Sequence, residues 1–551
     1  MVKNLLPLII VFLFSVLAGL PLLHNGFPPT HDGEYHIIRF FLFDESIRDG
    51  NLYPRWAAHL NNNFGVPLFN FVYPLPNYIS TFFHFLNISF IDSFKLEMFI
   101  AILVGGIFFY LWAKEFWGKL GGVVSSMFYT FSPYHFLDIY IRGSVGEVWA
   151  LSFFPTFLWA YTRFVKSRKI VFFVFSSIFL SLIIFSHNIL ALMFFFFVLS
   201  YMILLISSQK NKKYLILNSL YLMLLGLGLS AIFWLPAIYE TKFVSGLQIF
   251  DVTSHFPDLY QLIIPSWGSG FSGTSFQNEL SFQIGIANLI AVFLSIVGLF
   301  FLVKRKFNKV SSCVIFFLIW FIFVLFLMLD ISRPLWKIIP LMSYFQFPWR
   351  LLSLEILFAS FLAGSFFPLL ARHFRLKIFF AAFLVSLSFI LGIGYIKPAY
   401  YHYRNDDYYV SRPNFINGTN SPGNVFNTIW LKTIPAKEKE MIRFLKGKGK
   451  IVIEKTQSGR HIFSINSTKN SEVLVNIAYY PGWEVYVNNK KGKIKSTFNG
   501  RITFSLLPGD SRVELIFKDT FIRRFAGVVS LLSLLLICFL LISNRFATIN
   551  K

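Results

Sequence analysis

Five ionisable side chains fall within nine residues near the N-terminus, in His31-Asp32-Gly33-Glu34-Tyr35-His36-Ile37-Ile38-Arg39, just past the first long apolar run. Ionisable groups beside a bilayer are costly to desolvate, so such a concentration points to chemistry rather than to solvation. Asp32 and Glu34 are two residues apart. In a turn or an extended segment, two carboxylates so spaced can share one hard divalent cation, Mg2+ or Mn2+. If the chain turns helical after Gly33, Asp32 and His36 instead share one helix face. An Asp–His couple at that spacing can orient a proton acceptor or ligate a metal. Arg39 follows one turn later and can face an anionic leaving group. The alternative is an interfacial amphipathic helix with a capping Asp and ordinary surface charges. Complementary residue types, in a loop otherwise poor in charge, favour chemistry.

The elements that must position these groups are helical and membrane-bound. The 551 residues are 56% hydrophobic and 14% charged, with 72 Phe. Soluble domains run near ~45–50% apolar and ~25% charged, which excludes a soluble enzyme, a disordered chain and a collagen-like chain. Cys313 and Cys538 both sit in apolar runs, which excludes a disulfide framework or a cysteine zinc site. A span needs ~20 mostly apolar residues. Twelve runs qualify: 5–23, 96–113, 120–137, 147–163, 170–186, 189–207, 214–236, 283–303, 310–329, 349–370, 376–396 and 524–543. They are continuously apolar rather than alternating, so helices are expected. The first run has no small-residue cleavage site after it and is expected to stay as a span. Basic residues fall on every second loop: Lys114 and Lys119, Arg163 to Lys169, Lys210 to Lys213, Lys304 to Lys309 with Lys306, and Arg372 to Lys377. The positive-inside rule makes that side cytoplasmic, with both termini on it, in the plasma membrane.

The external side then holds everything large. Loops 24–95 and 237–282 belong with the spans to a membrane domain of residues 1–396; residues 397–518 form an external domain, and residues 519–551 a final span and cytoplasmic tail. Strand-like stretches at 451–454, 461–466, 473–479, 484–488, 501–507 and 512–517, with turns at Tyr480-Pro481-Gly482 and Leu507-Pro508-Gly509-Asp510, predict a small β-sandwich, with some helix near 435–446. Within 397–518, 20 Lys/Arg against nine Asp/Glu leave +11 of the chain's +24 on this domain. That charge suits solvation beside anionic headgroups or contact with an anionic acceptor. An external domain excludes nucleic acid as a partner.

A carboxylate-bearing motif in the first external loop of a many-span protein, with a soluble domain near the C-terminus, resembles the GT-C class of membrane glycosyltransferases. The 31–39 segment is similar to the opening motif of a bacterial and archaeal branch labelled a pterin-synthase-related membrane domain. Arg142-Gly143-Ser144-Val145-Gly146-Glu147, Ser186-His187-Asn188, Phe233-Trp234-Leu235-Pro236-Ala237 and Phe347-Pro348-Trp349-Arg350 match that branch too. Tyr480-Pro481-Gly482-Trp483-Glu484-Val485-Tyr486-Val487 resembles the C-terminal domain of a group that glycosylates cell-envelope polymers. The resemblance implies a GT-C fold of about twelve helices with the external β-rich domain. It implies transfer of a sugar from a polyprenyl-phosphate-linked donor to an envelope glycan, lipid or polymer, with inversion. It assigns the catalytic base or metal ligand to Asp32, then to Glu34, with His36 beside them. Asp-x-Glu stands where many members have Asp-x-Asp, which bears on metal use rather than on the base. The pterin label implies a zinc-bound histidine triad, and no such histidine spacing occurs here.

Around that motif, His31 and Arg39 are expected to contact substrate. Arg142 and Glu147 flank the start of a span and either pair with each other or place Arg142 on phosphate. His187 is a polar turn or faces the reaction centre. Arg350 is an interfacial anchor or a phosphate ligand, its planar fork suiting phosphate. Trp267 is an interfacial aromatic or a sugar-stacking face. Glu240 closes the seventh span, and Glu355 is expected as a buried partner of Arg350. Two other function classes remain open. One is a transporter or flippase of a lipid-linked glycan, for which repeat symmetry or paired broken spans with midplane charges are expected. The other is a non-catalytic envelope assembly protein.

Overall fold

In the hydrocarbon core a helix is the element that satisfies its own backbone, and the long apolar runs form helices throughout. The computed structural model describes residues 2–246, 251–272, 279–305, 309–370, 373–433 and 435–549; Lys306 and Arg372 of the basic loops lie outside the described residues. The longer helices, in chain order, are α1 (Val2–Gly19), α2 (Gly33–Arg48), α3 (Leu75–Phe85), α4 (Phe90–Thr130), α5 (Val145–Ser167), α6 (Ile170–Ser186) and α7 (Asn188–Ser207). They continue with α8 (Lys212–Leu229), α9 (Ala231–Glu240), α10 (Ile286–Arg305), α11 (Lys309–Met328), α12 (Leu352–Leu362), α13 (Phe374–Gly392) and α14 (Phe521–Ile549).

Among the described residues, eight helical stretches are long and apolar enough to cross a membrane, or nine if α8 and the helix after it, which meet at a 70° bend, count as one span. Twelve runs were expected, and the difference has local causes. Run 214–236 is that bent pair. Run 120–137 begins as the return leg of α4. At ~1.5 Å per residue, a straight helix of α4's length would be about twice as long as the hydrocarbon is thick. Instead it folds back at Gly118, whose φ of 75° suits glycine. The two legs pack closely: Ser126 Oγ donates to the Gly106 carbonyl at 2.7 Å. A Cβ added to Gly122 would lie 2.9 Å from Lys114 Cβ. Run 147–163 is α5, whose first turn carries a buried carboxylate, and run 170–186 is α6, a helix of 17 residues.

The C-terminal region forms two packed antiparallel sheets, as the alternating stretches predict. The strands are β1 (Ile442–Lys446), β2 (Gly449–Gln457), β3 (Arg460–Ser467), β4 (Ser471–Ala478), β5 (Trp483–Val487), β6 (Lys490–Lys491), β7 (Lys495–Phe498), β8 (Arg501–Leu506) and β9 (Gly509–Phe517). One sheet has the order β1-β4-β8-β7 and the other β2-β3-β9-β5-β6. Phe463, Val473, Val475, Val485, Ile502, Phe504, Val513 and Leu515 fill the space between them. The helix expected near 435–446 is replaced by β1. Lys437 to Glu440 have good helix propensity, but Ile442 and Phe444 pair with Val475 and Val473 and bury an edge of the sandwich, and packing outweighs propensity.

The sandwich is clamped to the helix bundle by a buried polar hub. Glu240, at the end of α9, accepts from Arg523 Nη2 (2.8 Å), Asn70 Nδ2 (2.9 Å), Tyr480 Oη (3.0 Å) and Thr520 Oγ1 (3.0 Å). Arg523 and Glu240 are 0% and 1% exposed at the side chain. Arg55 extends the hub, donating to Asn70 Oδ1 at 2.9 Å and reaching Asp519 at 3.2 Å. Removing one partner of a buried, fully bonded pair strands the other charge, so this hub fixes the sandwich against loop 24–95 and α14. Trp56 against Trp483, edge to face at 5.5 Å, and the Ala478 N–H bonded to the Phe64 carbonyl at 2.7 Å complete the seam.

Candidate functional site

Four of the sequence motifs meet at one place. The chain before α2 lies along residues 141–142: the His31 N–H donates to the Ile141 carbonyl at 2.9 Å and the Asp32 N–H to the Arg142 carbonyl at 2.8 Å. Glycines permit the approach. A Cβ on Gly33 would lie 2.4 Å from Thr30 Oγ1 and 2.8 Å from Phe27 Cζ, and one on Gly143 (φ 66°) 2.3 Å from Thr30 Oγ1. A Cβ on Gly146 would lie 2.4 Å from the Tyr73 ring and 2.5 Å from the Ser186 carbonyl, which brings in the Ser186-His187-Asn188 motif. Gly33→Ala is expected to cost ~1–3 kcal/mol through overpacking and to displace Asp32. A thermal unfolding midpoint equal to wild type would show that Thr30 and Phe27 give way.

The helix begins at Gly33, with Asp32 at its N-cap position. This decides between the two geometries open for the motif. On a helix, residues two apart do not face each other. Glu34 lies 3.8 Å from Arg412 and acts on Tyr409. Asp32 acts instead on Arg39 and Tyr73. The pair thus diverges and does not fit a shared cation, and among the described residues no group of three or more His, Cys, Asp or Glu could hold a metal ion. Asp32 and His36 do share a face, linked by the His36 N–H to the Asp32 carbonyl at 3.1 Å. The His36 ring is buried among Phe40, Tyr73 and Phe94, at 6.1, 6.4 and 6.1 Å. Burial first, then Arg39 and His187, hold its pKa well below the usual value, so it is a neutral imidazole at neutral pH.

The Asp32 carboxylate is partly exposed, makes no capping bond, and among the described residues has no hydrogen-bond or ion-pair partner. Arg39 is held on one edge: Nε donates to Asn420 Oδ1 and Nη2 to the Asn420 carbonyl, both at 2.8 Å. Burial lowers its pKa from the ordinary arginine value, while Tyr73, Asp32 and Tyr35 oppose that shift.

Beneath the motif lies a buried ionic quartet. The π-helical turn Leu137–Arg142 carries Asp138 and Arg142. Arg142 Nη1 bonds both Asp138 and Glu147, and Nη2 donates to Glu147 Oε1 at 2.7 Å. Arg350 Nε joins Glu147 at 2.7 Å, and its Nη1 donates to Gln346 Oε1 at 2.7 Å. Arg142 also stacks over Trp349 at 4.9 Å. The two carboxylates are 0% exposed and the guanidiniums 5% and 8%. His187 lies 3.7 Å from Glu147, packs on Tyr73 at 5.0 Å, and caps α7 by accepting from the Leu190 N–H at 3.3 Å. Both guanidiniums are thus paired with buried carboxylates, Arg142 with Asp138 and Glu147 and Arg350 with Glu147. Glu355 is fully buried and has no hydrogen-bond partner among the described residues; Arg350 turns to Glu147 instead.

The second long loop reaches the motif from the other side. His31 Nε2 sits 2.9 Å from the Ser269 carbonyl, and its ring stacks on Phe271 at 5.1 Å. Trp267, two residues before Ser269, packs on Tyr395 at 4.8 Å. Sequence reasoning missed Asp138, Tyr73 and Asn420. Only Asp138 leaves a local signal, a carboxylate four residues before Arg142 in an otherwise apolar stretch.

A family model described as a 6-pyruvoyl-tetrahydropterin synthase related domain, a membrane protein, matches residues 69–396. That is more than half of the chain. The chain belongs to the 6-pyruvoyl-tetrahydropterin synthase related membrane domain family. The matched segment takes in the quartet, His187 and Trp267, and begins after the 31–39 motif. A second model, the bacterial membrane protein YfhO, matches residues 438–530, the sandwich and the start of α14. An uncharacterized protein of Lactococcus lactis subsp. cremoris (strain MG1363) is 23% identical over 166 residues, 29% of this chain and 27% of its own. An uncharacterized protein YfhO of Bacillus subtilis (strain 168) is 32% identical over 80 residues, 14% of this chain and 9% of its own. This member of the pterin-synthase-related family therefore spans only 27% and 9% of those relatives.

Proposed function

We propose that this protein is a GT-C-type membrane glycosyltransferase, moving a sugar from a polyprenyl-phosphate-linked donor to an envelope glycan, lipid or polymer. The observation that carries this reading is the Asp32 carboxylate: the backbone of residues 31–32 is fixed by hydrogen bonds to residues 141–142, the side chain has no partner among the described residues, and its charge acts on Arg39. In this reading both termini are cytoplasmic, and the site and sandwich face outward in the plasma membrane. The donor's tail lies among the bundle helices in contact with membrane lipids. Asp32 takes the proton of the acceptor hydroxyl. The acceptor oxygen bonds the anomeric carbon as that carbon's bond to the phosphate oxygen breaks, and polyprenyl phosphate leaves with the electron pair. One displacement inverts the anomeric centre. Arg39 Nη1, with no partner among the described residues, can meet the charge that develops on the phosphate. Because Asp32 and Glu34 diverge, no step runs through a metal.

The test is transfer from a panel of defined polyprenyl-phosphate sugars, with and without EDTA. Transfer from at least one donor, unchanged by EDTA, is expected. Transfer abolished by EDTA and restored by Mn2+ would overturn the metal-free step, and transfer from none would overturn the reading.

A flippase of lipid-linked glycan is the second reading, and the 70° bend after α8 favours it. Inverted-repeat transporters pair such a break with a counterpart in the other half. A single bent pair is present among the described residues. Movement of a labelled lipid-linked sugar across proteoliposomes, without transfer, would decide for it.

A further inference from the structure

Arg39 and Asn420 are 381 residues apart in the chain, yet Asn420 spends both of its acceptors on one edge of the Arg39 guanidinium. Asn420 is 3% exposed. Its φ is 54°, in the left-handed region that glycine occupies freely and asparagine tolerates best among the other residues. The turn that holds it is itself anchored. The Gly418 carbonyl accepts from the Asn61 N–H at 2.9 Å, and Asn424 Oδ1 accepts from the Thr419 N–H at 2.9 Å. Asn424 is itself at φ 54°, and Thr419 is fully buried. Glycine would meet the backbone demand at 420 at lower strain, so the asparagine side chain contributes what glycine lacks, an acceptor for Nε. Gripping Nε and Nη2 leaves Nη1 without a partner among the described residues, and with the second Nη2 hydrogen it can bind a phosphate oxygen pair.

We infer that Asn420 is a positioning residue that aims Arg39 at the phosphate of the lipid-linked donor beside Asp32. The inference deepens the proposed function and rests on it. It makes the segment between bundle and sandwich a wall of the site, completing a motif near the other end of the chain. A merely structural link between Asn420 and Arg39 would tie that segment to α2 without regard to phosphate.

The experiment uses full-length protein in phospholipid nanodiscs, with undecaprenyl phosphate as probe and undecaprenol, which lacks the phosphate, as control. Asn420→Gly keeps the left-handed backbone and removes the side chain. It is expected to weaken undecaprenyl phosphate binding about tenfold, the scale of one hydrogen bond to a charged group. Undecaprenol binding should stay at wild type, and the unfolding midpoint should fall by no more than the loss of one hydrogen bond, partly offset by glycine's lower strain at φ 54°. Arg39→Ala with Asn420→Gly should bind no more weakly than Arg39→Ala alone. Equal loss for both lipids, unchanged binding of undecaprenyl phosphate, or additive losses in the double variant would overturn the inference. Wild-type binding of undecaprenyl phosphate without sugar transfer would overturn the glycosyltransferase reading and leave this assignment standing. No binding by wild type would overturn both.

Discussion

Asp32→Asn is expected to lower the transfer rate by ~10²–10⁴-fold, the usual contribution of a general base, while the protein accumulates and melts as wild type does. The two halves of that expectation have separate causes. The rate falls because an amide cannot take the acceptor's proton. Stability holds because the carboxylate has no partner among the described residues and makes no capping bond, so its loss strands nothing. Steady-state transfer from a defined polyprenyl-phosphate sugar, beside a thermal melt in the same detergent, measures both. Full activity would remove Asp32 from the chemistry.

Glu147→Ala should behave in the opposite way, as a folding defect. Glu147 carries bonds from Arg142 and the ion pair to Arg350, and is fully buried. Without it, two buried guanidiniums share Asp138 alone. Breaking a buried pair by removing one partner costs ~3–5 kcal/mol, so low accumulation or a sharply lowered midpoint is expected. Adding Arg350→Met restores the charge count, two charges against two becoming one against one, and should recover part of the loss. A single variant that melts with wild type would mean that water or another group takes up the stranded charge. In the proposed reading, the contrast between Asp32 and Glu147 would separate the group that reacts from a group that holds the fold around it.

Much of this arrangement is legible in the sequence. Apolar runs mark the helices, and alternation with Pro-Gly turns marks the sandwich strands. Arg142 and Glu147 can be recognised as a pair because charges in apolar surroundings need partners, whereas the joining of Arg350 to Glu147 rather than Glu355 follows only from the fold. What the sequence leaves open is decided by backbone geometry. Whether Asp32 and Glu34 converge or diverge depends on where α2 begins, and Gly33 permits either. Gly118 shows no sequence sign that it folds α4 into a hairpin, because one glycine within a helix also reads as a tolerated defect. Residues 437–440 favour helix locally, and β1 follows only because Ile442 and Phe444 find β4. Asn420 is invisible beforehand, since its meaning lies in a left-handed turn and a contact 381 residues away. The Glu240–Arg523 hub likewise joins two span ends that, read singly, are ordinary interfacial charges.

The most direct measurement is a structure of the full-length protein with a non-reactive polyprenyl-phosphonate sugar bound. The expected result places the phosphonate against Arg39 and the Asp32 carboxylate on the open face of the anomeric carbon, with room for one acceptor hydroxyl at the ~3–3.5 Å of a near-attack geometry. A phosphonate more than ~10 Å from Asp32 would contradict it, because a base must reach its proton directly or through one water.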